Sequence, residues 1–65
     1  MQIQLNGKPV SIASPALAEL IAQLELAGKR YAVEVNEELV PRGEQAGYQL
    51  REGDHVEIVQ AIGGG

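Results

Sequence analysis

Apolar and polar residues alternate at the start of the chain, on both sides of an Asn6-Gly7 pair. Such a pair between two alternating segments is typical of a β-hairpin closed by a type I′ turn. A two-residue loop places Ile3 opposite Val10, so that the apolar side chains of both strands share one face. Because Pro9 has no backbone N–H to donate, we expect the second strand at an edge of the sheet.

The next apolar residues recur with the period of an amphipathic helix, at i, i+3, i+4 and i+7. They are Leu17, Leu20, Ile21 and Leu24. Ser14 followed by Pro15 is typical of an N-cap and a first helical position. Gly28 suits the left-handed residue that ends a helix. We therefore predict a helix over about residues 15–27.

Alternation returns over residues 31–35, which predicts a third strand. Asn36-Glu37-Glu38 then turns the chain into a short apolar strand at residues 39–40, which Pro41 ends. Residues 42–49 show no period and are expected to be irregular, and Leu50 is expected to fill the end of the core. The sequence thus predicts an α+β domain with a single helix.

The last predicted strand covers residues 55–61, after a turn at residues 52–54. In it Val56 and Ile58 share one face, and Val59 and Ala61 share the other. One helix covers only one face of a sheet, so Val59 and Ala61 are expected to form a small apolar patch for a partner. Scattered apolar surface residues are the equally weighted alternative.

Composition excludes several classes of function. The chain has no cysteine, which removes disulfides, thiolate metal sites and thiol nucleophiles.

Two tyrosines are the only aromatic residues, and the net charge is −4 with five scattered basic residues, so nucleic acid is not expected as a partner. The sequence has no membrane-length apolar run and no basic leader, from which we expect a cytoplasmic protein. A monomer is the default assumption.

The chain ends in Gly63-Gly64-Gly65. Three glycines without Cβ atoms should form a flexible projecting tail, and residues 61–65 could span up to about 17 Å. The terminal carboxylate is ionised at neutral pH and needs activation, for instance as an acyl-adenylate. In a chain without a thiol, the carbonyl of Gly65 is the one group that could hold sulfur covalently, as a thiocarboxylate. A disordered end or a cloning remnant is the alternative interpretation of the tail.

Four segments together resemble the ThiS-type sulfur carrier family of thiamine thiazole biosynthesis, over essentially the full length. They are Leu5-Asn6-Gly7, Val40-Pro41-Arg42, Leu50-Arg51-Glu52-Gly53-Asp54 and the ending Gln60-Ala61-Ile62-Gly63-Gly64-Gly65. The resemblance implies one β-grasp, ubiquitin-like domain over residues 1–65. In it, a mixed four- to five-stranded sheet packs on the helix, and the last strand lies centrally beside the first.

The same resemblance implies that the chain is a substrate of enzymes and no enzyme itself. Gly65 would be adenylated by a ThiF-type adenylyltransferase, converted to a thiocarboxylate with sulfur from a cysteine desulfurase system, and presented to a ThiG-type thiazole synthase. Gly63 and Gly64 would let the tail enter an active site. ATP and magnesium would be used by the partner enzyme, with no cofactor and no metal bound to this chain.

Four side chains are candidates for the partner surface: Val59, Ala61, Ile62 and Arg42. For Arg42, an ordinary loop charge is the alternative. Three other functions also fit the sequence. They are a molybdopterin-type sulfur carrier, a ubiquitin-like modifier that joins its glycine to a lysine, and a binding module with an incidental tail.

Overall fold

The computed structural model describes residues 1–26 and 28–60. In this part of the chain the elements are β1 (Gln2–Leu5), β2 (Lys8–Ser11), α1 (Leu17–Gln23), β3 (Tyr31–Val35), β4 (Glu38–Leu39), α2 (Arg42–Gln45) and β5 (His55–Gln60). The strands form one five-stranded mixed sheet in the order β2-β1-β5-β3-β4. β5 is parallel to β1 and antiparallel to β3. This is the β-grasp arrangement expected from the sequence.

The N-terminal hairpin has the predicted register, with Ile3 opposite Val10. Asn6 and Gly7 both have positive φ, at 51° and 83°. A type I′ turn requires this combination, and it matches the right-handed twist of the two strands. β2 pairs with β1 alone and lies at an edge of the sheet, which confirms the position expected for Pro9.

The core lies between α1 and one face of the sheet. Leu17 on the helix and Val33 on β3 are completely buried. Leu50, which belongs to no helix or strand, is 3% exposed and closes the core as predicted. The buried cluster consists of Ile3, Leu17, Leu20, Val33, Val35, Val40, Leu50 and Val56. All of these are aliphatic, so shape and volume hold this small domain together.

The predicted start of the helix is wrong. Ser14 does not cap α1 and Pro15 is not its first residue, because the helix begins two residues later. The chain before it is extended: Ala16 forms a bridge with Gln49, and the Pro15 carbonyl accepts a hydrogen bond from Leu50 N at 2.7 Å. The backbone of Pro15 and Ala16 therefore pairs with the loop that carries Leu50 and does not extend the helix.

The helix also ends earlier than predicted, at Gln23. Glu25 has the left-handed conformation, with φ at 56°. It is therefore the residue that ends the helix, a role predicted for Gly28. Gly28 does have a positive φ of 79°, but beyond the end of the helix. The reversal after Gln23 turns Leu26 inward, where it is 2% exposed. Burial of this leucine offsets the cost of a left-handed glutamate.

The segment after β3 differs from the prediction in two places. β4 is Glu38–Leu39, one residue earlier than expected. Residues 42–49 are not wholly irregular, since Arg42–Gln45 form the short helix α2. Pro41 precedes this helix with φ at −60°, and its carbonyl accepts the N–H of Glu44 at 2.9 Å. A single helical turn shows no period in a sequence, so pattern analysis could not find it.

Candidate functional site

The last strand occupies the centre of the sheet and leads into the glycine tail. We call residues 58–60 the tail root. On one side β5 is paired with β3 as far as Tyr31 opposite Gln60. The predictions for Ala61, Ile62, Gly63, Gly64 and Gly65 lie outside the described residues. The site is therefore characterised by the structure that holds the tail root.

Two asparagine side chains fasten β5 to the turns beside it. Asn6 accepts a hydrogen bond through Oδ1 from the N–H of Ile58, at 2.9 Å. Asn36 accepts one through Oδ1 from the N–H of His55, at 3.0 Å, and its backbone N–H donates to the His55 carbonyl at 2.7 Å. Its Nδ2 also donates to Asp54, at 3.0 Å. Each asparagine is therefore a left-handed turn residue, and its side chain also accepts a hydrogen bond from the backbone of β5.

A second group of side chains fixes the strand opposite the tail root. The Arg42 guanidinium lies over the Tyr31 ring, 4.7 Å from its centroid, which is a cation–π contact. The Tyr31 hydroxyl donates to Gln45 Oε1 at 3.5 Å, a long hydrogen bond. Gln45 is only 7% exposed, and its Nε2 donates to the Val40 carbonyl at 3.2 Å. Through Arg42 and Gln45, the short helix α2 thus contacts β3 at Tyr31, which lies opposite the end of β5.

A shallow groove lies on the open side of the tail root. It is lined by Arg30, Tyr31, Ala32, Val59 and Gln60. Val59 is 61% exposed, on the sheet face opposite the helix, where the sequence placed it. Arg42 reaches this group through Tyr31, whose ring it covers. The structure therefore brings Val59 and Arg42 to the same end of the sheet, and their role in binding a partner stays a prediction.

Three residues that hold this site carry no sequence signal for that role. Asn6 and Asn36 are recognisable from the sequence only as turn residues, and Gln45 is not recognisable at all. An Asn-Gly pair predicts a turn but does not say which strand the asparagine side chain will meet. Gln45 lies between Gly43 and Gly47 in a segment without a period, so no local signal marks it as buried.

Two acidic side chains of the turn before β5 accept hydrogen bonds from backbone N–H groups. Both Glu52 oxygens accept from the N–H of Gln2 at 3.1 Å, and Asp54 Oδ2 accepts from the N–H of Arg51 at 2.8 Å. Both carboxylates therefore hold the backbone at the turn before β5. In residues 1–26 and 28–60 there is no group of three or more His, Cys, Asp or Glu side chains that could hold a metal. No helix among these residues is long and apolar enough to cross a membrane.

Comparison with known proteins gives concordant results. The model of the ThiS family matches residues 3–65. The chain is 41% identical to a thiazole synthase of Magnetococcus marinus over its whole length, but it spans only 20% of that protein. It is 32% identical to the sulfur carrier protein ThiS of Escherichia coli, with both proteins covered completely. The crystal structure of the thiamine biosynthesis protein ThiS from Geobacter metallireducens superposes with a TM-score of 0.81 at 32% identity, again with complete coverage of both chains.

The family model, the full-length match to the short relative and the shared fold all agree. They also agree with the topology, in which the chain continues from a central strand to three glycines. The chain therefore belongs to the ThiS family.

Proposed function

We propose that this chain carries sulfur as a thiocarboxylate on Gly65 and delivers it for formation of the thiazole ring of thiamine. The observation that carries the proposal is the match of the family model through residue 65, which brings the glycine ending within the pattern of the family. The fold supports it, because β5 is paired on both sides and leads directly to residues 61–65.

The chemistry begins at a carboxylate, which is a poor electrophile. A carboxylate oxygen of Gly65 attacks the α-phosphorus of ATP, a mixed anhydride with AMP forms, and pyrophosphate leaves. A sulfide equivalent then attacks the carbonyl carbon, and AMP leaves with the bonding electron pair. One oxygen of the carboxylate is thereby exchanged for sulfur. ATP and magnesium belong to the adenylating enzyme, so this chain is the protein substrate.

Intact-mass measurement tests this proposal. The chain is incubated with the adenylating enzyme of the same organism, ATP, magnesium, a cysteine desulfurase with cysteine, and a thiol that reduces the desulfurase persulfide and releases its sulfur as sulfide. We expect the mass change of one oxygen replaced by sulfur, located at Gly65 by fragmentation. Unmodified protein, or conjugation to lysine residues of other proteins, would contradict a sulfur carrier.

Variants of the three glycines distinguish the residue that is modified from the residues that let the tail enter the enzyme. Deletion of Gly65 should abolish modification and leave the thermal midpoint unchanged, because a terminal glycine has no side chain to bury. Gly64→Val should block adenylation through steric conflict in the narrow channel that we expect in the enzyme. Gly63→Ala should be tolerated, since we assign Gly63 to flexibility of the tail.

The names of three relatives favour the thiamine pathway over molybdopterin synthesis, since two are named thiazole synthase and one is named sulfur carrier protein ThiS. Two of them are longer proteins, named thiazole synthase, of which the chain matches one fifth. These long relatives support a ThiG-type thiazole synthase as the partner that consumes the sulfur. A ThiF-type adenylyltransferase, a desulfurase and a cytoplasmic location complete the proposal.

A further inference from the structure

The open face of the sheet carries apolar and acidic positions in rows. The register sets Ala32 opposite Val59 and Glu34 opposite Glu57. On its other side Glu34 has Leu39 of β4 as its neighbour. Side chains alternate along a strand, so the acidic row lies two residues, or about 7 Å, from the apolar row beside the tail root. We call these five residues the apolar-acidic face.

The acidic row costs the free protein stability. Like charges directly opposite each other on neighbouring strands destabilise a sheet. Glu34 is partly buried and lies between Leu39 and Glu57, so the register places no basic residue opposite its carboxylate. A net charge of −4 adds to this repulsion. Local rules that are broken on an exposed surface point to a function of that surface.

Exposed apolar side chains flank the two carboxylates. Val59 is 61% exposed and Leu39 is 63% exposed, and they are two of the three large apolar residues described as exposed. They stand on different sides of the acidic pair, one toward the tail root and one on the edge strand β4. The face thus combines a negative centre with apolar borders, which is the composition of a protein interface with one charged contact.

We propose that the apolar-acidic face docks on thiazole synthase, with an arginine of the enzyme between Glu34 and Glu57 and apolar side chains over Val59 and Leu39. A planar guanidinium has five N–H donors and can bond two carboxylates at once. The position beside the tail root allows one enzyme to hold the sheet and receive residues 61–65. The choice of this enzyme rests on the proposed function, which the long thiazole synthase relatives support.

Calorimetric titration of the full chain into purified thiazole synthase of the same organism tests the docking. Glu34→Gln with Glu57→Gln should weaken binding at least about tenfold. The affinity of the same double variant should fall less than that of the wild type between roughly 50 and 200 mM salt, because the charge contact is gone. Glu19→Gln is the matched control, since this exposed glutamate lies on α1, which covers the other face. Its affinity should equal that of the wild type.

Charge reversal distinguishes docking from a structural role. Glu57→Lys pairs a lysine with Glu34 across the strands, so the thermal midpoint should rise by a few degrees while binding is lost. A purely structural role would move stability and affinity in the same direction. Unchanged affinity of the double variant, or absence of binding by the wild type, would overturn the proposal.

The two proposals can fail separately. The thiocarboxylate assay uses the adenylating enzyme and a desulfurase, without thiazole synthase. If the wild type gains no sulfur at Gly65, the carrier proposal fails regardless of docking. If sulfur is gained and the double variant binds as tightly as the wild type, only the docking proposal fails.

Discussion

Glu25 and Glu37 have positive φ values, 56° and 70°, in positions where glycine or asparagine is usual. Glu37 shares its turn with Asn36, which has φ at 52°, and this turn joins β3 to β4 with Val35 opposite Glu38. The arrangement repeats the Asn6-Gly7 turn with glutamate in place of glycine. A residue with a Cβ atom is strained at this position.

Glu37→Gly should therefore stabilise the fold. Relief of the left-handed strain exceeds the entropy that glycine adds to the unfolded chain, for a net gain of about 0.5–1 kcal/mol. The thermal midpoint should rise by roughly 2–8 °C. Gly7→Ala is the matched control at the equivalent position of the other turn, where φ is 83°, and it should lower the midpoint. A lower midpoint for Glu37→Gly would show that the glutamate side chain stabilises its turn.

At the scale of elements, β5 depends on side chains from both neighbouring turns. Asn6 holds Ile58 at one end and Asn36 holds His55 at the other. Asn6→Gly preserves the turn conformation and removes the side-chain acceptor. The two functions of this residue can thus be separated by one substitution.

Hydrogen exchange measures the result at single amides. In Asn6→Gly we expect the Ile58 amide to exchange about fivefold faster, because the lost hydrogen bond contributes about 1 kcal/mol. The His55 amide should keep its rate. Asn36→Gly should reverse the pattern, with fast exchange at His55 and protection retained at Ile58. Uniform acceleration of both amides in either variant would mean that β5 opens as a unit.

Prediction from sequence succeeded where a pattern is local and failed where distant backbone groups decide. The Asn6-Gly7 turn and the edge position of Pro9 follow from the chemistry of those residues, and both are confirmed. The start of α1 is set by Ala16 and its bridge to Gln49, which are far apart in sequence. For the site, Val59 could be placed on the open face by alternation, whereas buried Gln45 could not be found.

At the scale of the whole molecule, stability depends on a few aliphatic side chains. A domain of this size has a free energy of unfolding of roughly 3–10 kcal/mol. Leu50 is 3% exposed and comes from a loop that is fastened to Pro15 by a 2.7 Å hydrogen bond. A loop residue therefore supplies part of the core that the short helix cannot fill.

Leu50→Ala should cost about 3 kcal/mol, since it leaves a cavity that the surrounding strands cannot close. In urea the unfolding midpoint should fall by more than about 1 M. Leu39→Ala is the control of the same chemistry at a residue that is 63% exposed, and it should change stability by less than about 0.5 kcal/mol. Equal effects of the two substitutions would mean that the loop does not contribute to the core.

The central position of β5 also has a mechanical consequence. An enzyme that draws residues 61–65 into its active site applies a load at Gln60, and this load runs along β5. β3 shares it through antiparallel pairs that extend to Tyr31 opposite Gln60, and β1 shares it through parallel pairs at His55 and Val56. Had the tail followed the edge strand β2, the same pull would peel away one row of hydrogen bonds. We therefore expect the domain to stay folded while its tail is pulled.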